Sequence, residues 1–561
     1  MEVYIIIGTV VLLLILIYIS GVVADNKHKA FLKKTIIENY GKYSLDEYSK
    51  DDILRISKYH LKKKSETNDF YIDDITWNDL GMDDIFARIN ITGSSIGEEY
   101  LYHRLHNCNI KEDDYKRFIE LTDYFESHDD NRLKLQLCLS NIGKIKRFSV
   151  TDILEYASNL QRENNVKHYI LDALILLSIG LIFITPAIGV LAFIVLLCVS
   201  VISYFKRKNE IAPYFMTFMY VIRLVNASKD IINIKDKALE PECNELSALV
   251  KEFKGFSRNS FFLSQGIKLT ENILELIFDY IRMIFHVDII KFNSMLDFLQ
   301  SKEDSIDELR TVIGKIDASI CASSLRKAFN YYCIPEFINK KEICATEVFH
   351  PMLINPVCNS ISADKGVLIT GSNASGKSTF IKSIAISAIM AQTLGIVPAR
   401  SYKASRFRIM SSMALTDNIK SNESYFIVEI KSLKRILDTD EHLGYPVLCF
   451  IDEVLRGTNT IERIAASSEI LNRLNGGNVL CFAATHDIEL TSILSDVYDN
   501  YHFDEEVIDR DVVFSYMLKD GSATTRNAIK LLNVIGYDET VVKAAEERAE
   551  QFITSGIWSK V

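Results

Sequence analysis

Apolar positions along this 561-residue chain change their spacing several times, and each change predicts a different kind of element. Val3 to Val23 is an unbroken apolar run whose only polar members are hydroxyl residues and Tyr4, long enough as a helix to cross the roughly 30 Å hydrocarbon core of a bilayer. From Asp83 to Leu160 the apolar residues Phe86, Ile89, Ile96, Leu101, Leu105, Phe118, Leu121 and Phe125 recur mostly at three- to five-residue steps, which predicts packed helices. Tyr169 to Phe205 is apolar throughout, too long for one span, and interrupted by Thr185-Pro186, so it predicts a helical hairpin. Each arm is slightly short for a full bilayer and Asp172 lies within the first, which keeps a re-entrant or protein-buried hairpin open beside a spanning one. Helical periodicity resumes from Tyr214 to Tyr332. Within it, Asn272 to Leu299 carries Glu275, Asp279, Arg282, His286, Asp288 and Lys291, the pattern of an amphipathic helix packed on protein. After Pro335 the pattern turns to short apolar runs separated by glycine turns, which predicts strands.

Charge orients these segments. Glu2 precedes the first run whereas Lys27, Lys29, Lys33 and Lys34 follow it, and the hairpin is flanked by Arg162 and Lys167 on one side and Lys206-Arg207-Lys208 on the other. The positive-inside tendency then predicts a multi-pass cell-membrane protein of about three spans with its C-terminal domain in the cytoplasm. A cleaved signal peptide fits poorly, because the run lacks a basic leading region and exceeds the usual apolar length. The lysine-rich stretch from Lys27 to Lys64 favours anionic lipid headgroups over nucleic acid as its partner. A net charge of −10 argues against coating nucleic acid by bulk electrostatics, and ten scattered cysteines without a CxxC pair suggest neither a zinc site nor a disulfide framework.

Chemistry concentrates in the strand-rich region. Gly371-Ser372-Asn373-Ala374-Ser375-Gly376-Lys377-Ser378, followed by Thr379, is Gly, four residues, Gly, Lys, Ser, between the predicted strand Gly366–Thr370 and a predicted helix. Glycines at those positions let backbone N–H groups turn onto phosphate oxygens, the lysine reaches the β- and γ-phosphates, and Ser378 takes Mg²⁺. Val447-Leu448-Cys449-Phe450-Ile451 is a buried strand ending in two carboxylates: Asp452 suits the Mg²⁺ shell and Glu453 suits a base for the attacking water. Val479 to Thr485 is a second apolar strand ending at His486, placed to bond the γ-phosphate or that water. ATP with Mg²⁺ is the expected ligand, and Lys377, Glu453 and His486 are the expected catalytic set.

These motifs together resemble the MutS family. The loop Thr370 to Thr379 with its internal Asn373, the segment Leu394-Gly395-Ile396-Val397-Pro398-Ala399, the stretch Asp452 to Thr460, Ala484-Thr485-His486 and Phe349-His350-Pro351 are each similar to a family motif. Ser424-Tyr425-Phe426-Ile427-Val428-Glu429 resembles the Ser-Thr-Phe-x-x-Glu segment, which implies that Ser424 reaches the partner subunit's γ-phosphate in a dimer. Tyr516 with Gly521 and Asn527-Ala528-Ile529 resembles the end of the ATPase domain, where an aromatic stacks on adenine. Thr92-Gly93-Ser94-Ser95-Ile96-Gly97 resembles the opening of the helical lever domain.

The resemblance implies an α/β P-loop NTPase domain of the ABC/MutS type, C-terminal to an all-α lever domain; the apolar runs add an N-terminal transmembrane helix and an internal transmembrane hairpin. The expected divisions are a membrane anchor at 1–26, a basic juxtamembrane segment at 27–74, lever segments at 75–168 and 206–340 around the hairpin at 169–205, and the ATPase domain with its C-terminal helical dimerisation segment at 341–561. A homodimer through the ATPase domains is implied, with membrane lipid as a partner. DNA is implied by the family, and a protein or lipid partner without DNA is the alternative. Leu455 and Glu462-Arg463 stand where mismatch-repair members carry glycine and Asp-Gly, and too little chain precedes the lever segment for a mismatch-reading domain, so a divergent, non-repair branch is expected. An ABC transporter fits less well, since no Leu-Ser-Gly-Gly signature precedes Val447 and three spans are few for a translocation path.

Overall fold

The computed structural model describes residues 20, 23–24, 26–67, 69–146, 148–158, 160, 163–211, 214–254, 256, 280–372, 375–413, 425–439, 444–456, 458–508, 511–523, 529, 532 and 536–558. Most of the predicted anchor Val3 to Val23, together with Asn373, Ala374, Ser424, Asn527 and Ala528, lies outside the described residues. The chain divides into two compact units. One comprises Met1–Glu66, Asn90–His103 and Glu120–Ser324; the other comprises Thr67–Ile89, Arg104–Ile119 and Leu325–Val561.

The regular elements among the first unit's described residues are all helices. Its core gathers Phe218, Phe253, Phe256 and Phe292, with Phe298 packed against it, and Phe218 meets Phe292 edge-on at 4.9 Å between ring centroids. Glu99 and Arg310, both almost fully buried, form an ion pair at 2.9 Å, and Thr151 accepts a further hydrogen bond from the same guanidinium nitrogen. Asp317 accepts the backbone N–H groups of Gly93 and Ser94 and the Ser94 hydroxyl, which fixes the start of the helix Ser95–His106. Gly97 is required there, because a Cβ at that position would lie 2.1 Å from the Asp317 carboxylate.

The apolar hairpin of this unit is the helix pair Val166–Ile184 and Pro186–Ile211, broken at Thr185 as the Thr-Pro pair predicts. Both helices are long and apolar enough to cross a membrane. Leu177, Phe183, Ile184, Leu191 and Ile202 are each more than half exposed, which in water would be a large unpartnered apolar surface. The arms pack tightly where Gly189 faces Ile182: a Cβ on Gly189 would lie 2.4 Å from the Ile182 nitrogen. The amphipathic stretch predicted over Asn272 to Leu299 is not one continuous helix in its described part. His286 takes φ +44°, and a helix begins at Val287 and runs to Ser301. The turn follows from tertiary bonding: the buried His286 ring meets His168 Nδ1 at 2.7 Å and the Ser200 carbonyl at 2.9 Å.

The second unit is built on two sheets. Strands β1 (Glu336–Phe337), β2 (Ile343–Val348), β3 (Asn359–Ala363) and β5 (Ser401–Ala404) form a small mixed sheet in the order β1-β5-β2-β3. The larger sheet runs β12-β9-β4-β8-β7-β6, from β4 (Gly366–Thr370), β6 (Arg408–Ser412), β7 (Val447–Asp452), β8 (Val479–Thr485), β9 (Tyr498–His502) and β12 (Lys519–Asp520). Its strands pair in parallel except β12, which closes one edge antiparallel. β4 and β8 are buried at every residue, which explains why they read as continuous apolar runs and not as alternating ones. The helix Lys377–Leu394 is apolar on nearly all sides and correspondingly buried. A β10–β11 hairpin (Glu505–Ile508 and Asp511–Phe514) follows β9.

The segment Thr67–Ile89 counts with this unit because the short helix Asp74–Asp79 packs on β6. The Asp79 carboxylate accepts the Ser411 hydroxyl at 2.7 Å and the Met413 N–H at 2.9 Å, while Thr76 accepts the Ser411 N–H at 3.0 Å. Arg435 ties Asp73 to the Ser411 carbonyl. Replacing Asp79 with alanine strands a buried N–H and hydroxyl, so the unfolding transition of this second unit is expected to lose about 1–3 kcal/mol, read as a lower denaturation midpoint with unchanged slope.

Candidate functional site

Three strand ends meet at the carboxyl edge of the large sheet, the edge at which open α/β sheets bind ligands. Pairing places Thr370 beside Thr485, and Asp452 beside Ala484. One residue beyond these pairs, β4 yields Gly371, β7 yields Glu453 and β8 continues to His486. The Glu453 N–H bonds the Ala484 carbonyl at 2.9 Å, which continues the ladder past the strand end and holds the carboxylate beside the histidine.

The phosphate loop has the backbone that its glycines predict. Gly371 takes φ +147° and Gly376 φ +108°, and a Cβ on Gly371 would lie 2.6 Å from the Phe503 carbonyl oxygen. Lys377 Nζ donates to the carbonyls of Gly371 at 2.8 Å and Ser372 at 2.7 Å, across the mouth of the loop. Burial pulls the Lys377 amine below its ordinary pKa, against the opposing pull of Asp452 and Glu453. The Ser375 hydroxyl is buried with no partner among the described residues. A loop with inward-turned glycines, a lysine resting on its carbonyls and a buried unsatisfied hydroxyl suits an incoming phosphate.

Ser378 Oγ donates to Asp452 Oδ2 at 2.6 Å, which brings together the two predicted Mg²⁺ ligands. Among the described residues no three His, Cys, Asp or Glu side chains gather around a metal position. One hydroxyl and one carboxylate fit Mg²⁺, which keeps most of its shell as water and phosphate oxygen. His486 Nε2 lies 2.7 Å from Glu453 Oε1. Burial alone would raise the Glu453 pKa, but the bond to His486 and the Arg456 charge outweigh it and hold the carboxyl below its ordinary range. Arg456 Nε sits 2.5 Å from the other oxygen, Glu453 Oε2.

A cavity of about 570 Å³ joins these groups, lined among others by His350, Leu353, Val357, Ser375, Lys377 and Tyr516. Tyr516 is 44% exposed and stands over Gly376, where a Cβ would come 3.1 Å from its ring. Asn359 fixes it from below: its amide donates to the Tyr516 carbonyl at 3.0 Å and accepts the Leu518 N–H at 2.8 Å. Tyr516 itself takes φ +53°. Of the predicted site residues, Gly371, Ser372, Ser375, Gly376, Lys377, Ser378, Thr379, Asp452, Glu453, His486 and Tyr516 therefore gather at one edge of the sheet.

Two carboxylates at the site carry roles that the motifs do not state. Glu505 accepts a hydrogen bond from the Ser372 hydroxyl, tying β10 to the phosphate loop. Glu429, only 3% exposed, accepts the N–H groups of Leu455 at 2.5 Å and Arg456 at 3.3 Å. That grip holds a strained turn, because Glu453 and Leu455 take φ +60° and +59°, a region that side-chain-bearing residues enter at a cost of order 1 kcal/mol each. Leu455 occupies the position where glycine would be free of that cost. The signal for Glu429 was available as a lone acidic residue in the apolar turn of a helix, but its partners lie 26 and 27 residues away.

Comparison with known proteins agrees with this geometry. Residues 367–553 match MutS domain V. The DNA mismatch repair protein MutS of Clostridium botulinum (strain Hall) is 28% identical over 272 residues, covering 46% of this chain and 29% of that protein. The protein of the same name from Clostridium kluyveri is 28% identical over 276 residues, covering 46% of this chain and 31% of that protein. The chain thus spans about three-tenths of the length of these relatives.

Replacing Glu429 with alanine removes the acceptor for two N–H groups at a strained turn. The expected outcome is a loss of about 2–4 kcal/mol in the stability of the second unit, and the additional change Leu455→Gly, which relaxes the backbone, should recover part of it in the same denaturation experiment. The loop, the carboxylate strand and the histidine strand thus lie in one place, within or at the edge of the stretch 367–553 that is similar to MutS domain V.

Proposed function

We propose that this protein is a membrane-anchored MutS-type ATPase that binds and hydrolyses ATP in a dimeric composite site. The observation that carries the reading is the convergence of two pairs, Ser378 with Asp452 at 2.6 Å and His486 with Glu453 at 2.7 Å, beside Lys377. Lys377 and the loop N–H groups would hold the β- and γ-phosphates, and Tyr516 would stack on the adenine over a base clamped by Asn359. Ser378 and Asp452 would hold Mg²⁺, which neutralises phosphate charge. Glu453 accepts a proton from the water that attacks the γ-phosphorus, the bond to the β-phosphate oxygen breaks, and ADP and phosphate leave. His486 orients Glu453 by occupying one of its oxygens. Ser424 of one subunit would complete the partner's site, so that ATP draws two nucleotide domains together and hydrolysis releases them.

The hairpin Val166–Ile184 and Pro186–Ile211, whose sequence is flanked or ended by Arg162, Lys167 and Lys206-Arg207-Lys208, supports a membrane anchor with both ends on the cytoplasmic side. What the motion acts on is read from two sides. The relatives are named as DNA mismatch repair proteins, which supports ATP-dependent DNA association. The net charge of −10 favours the second reading, a machine acting on a protein or lipid partner without DNA.

Glu453→Gln is expected to slow hydrolysis by roughly 10²- to 10⁴-fold while retaining ATP, and to accumulate an ATP-dependent dimer on size-exclusion chromatography of detergent-solubilised protein. A monomer at all ATP concentrations sinks the composite site. The same ATP-loaded variant reports the partner: retention of duplex or branched DNA that falls steeply with salt supports DNA association, and the absence of retention at low salt leaves the DNA-independent reading standing.

A further inference from the structure

We propose that Arg456 is a γ-phosphate sensor that latches the general base: without nucleotide its guanidinium occupies Glu453, and the γ-phosphate of ATP is the anion that draws it away. The inference rests on the reading of ATP as ligand. It adds a residue that lets the site distinguish a triphosphate from a diphosphate.

Both Glu453 oxygens are engaged, Oε1 by His486 at 2.7 Å and Oε2 by Arg456 Nε at 2.5 Å. A water approaching the carboxylate therefore meets a side chain already bonded at each oxygen, and it competes with a cation for Oε2 until Arg456 moves. His486 follows β8 directly, one residue beyond its last paired position Thr485. Arg456 is better suited to move. Its side chain is 39% exposed, and its contacts with Asp452 are long, 3.4 Å to the carbonyl and 3.9 Å to Oδ1.

The backbone beneath Arg456 is pinned by Glu429, so that motion is confined to the side chain. Arg456 also lines the same cavity as Gly376, Lys377, Ser378 and Glu453, which puts a cation on a flexible stem at the wall of the phosphate site. The other cation of that wall, Lys377, is 5% exposed and already lies across the loop mouth. A triphosphate adds negative charge in front of Glu453, and a guanidinium that can pair with either anion follows the stronger field. A diphosphate brings no group to the position of the attacked phosphorus, so the pair with Glu453 remains. ADP would thus leave the base covered, whereas ATP would uncover it.

The test is the binding of ADP and of a non-hydrolysable ATP analogue, measured by calorimetry on full-length protein in detergent micelles with Mg²⁺. Arg456→Ala is expected to weaken the ATP analogue by roughly 10- to 100-fold, the loss of one charge-assisted pair, and to leave ADP binding unchanged. Arg456→Lys should recover part of the loss. ADP binding doubles as the control for folding. Equal weakening of both nucleotides, or no weakening of either, overturns the sensor. A wild-type protein that binds neither nucleotide overturns the ATP reading itself, and Lys377→Ala, expected to lose both nucleotides together, distinguishes that failure from a failure of Arg456.

Discussion

The register among β4, β8 and β7 is the constraint from which the site follows. Parallel pairing fixes which residues leave the sheet side by side, and a slip of one residue would turn every side chain of a strand to the opposite face. With Thr370 opposite Thr485 and Asp452 opposite Ala484, the loop, the acidic pair and the histidine emerge at one level. The burial of β4 and β8 on both faces is what makes that register costly to change. The chemistry at the edge is thus held by hydrophobic packing several residues below it.

Above the sheet the chain accepts local strain to aim its groups. Glu453, Leu455 and Tyr516 all take positive φ, and each is held by hydrogen bonds from a residue distant in sequence: Ala484 for Glu453, Glu429 for Leu455 and Asn359 for Tyr516. Backbone strain persists where surrounding structure over-determines it, and such positions cluster at sites that must be pre-organised. Leu455 shows the trade most directly. Its side chain is buried, so apolar contact offsets part of the cost that glycine would avoid.

Much of this was legible in the sequence, for a physical reason. Strands buried on both faces leave unbroken apolar runs, and the residues that end them at the carboxyl edge, Gly371, Asp452, Glu453 and His486, are the ones that gather at the candidate site. The break at Thr185-Pro186 was legible because proline constrains the residue before it. The supporting contacts were not legible. Asp79 meets Ser411 across 332 residues, and Asn359 meets Tyr516 across 157, and no local pattern encodes a pairing of that separation. The engagement of Glu453 by Arg456 was hidden differently: three residues apart, the two read as neighbours in a motif, and only the positive-φ turn between them folds one back onto the other.

The single-residue turn of the apolar hairpin has a consequence for how such a chain could enter a bilayer. Between Asp172 and Lys206 no side chain carries a charge, and the two helices are joined through Thr185 alone, with Gly189 packed against the opposite arm. Insertion of this element therefore has no hydrophilic loop to translocate and no ion to dehydrate at its tip. Were the pair to enter a bilayer, it could do so from one side as a unit, with the bilayer acting as a solvent for the hairpin.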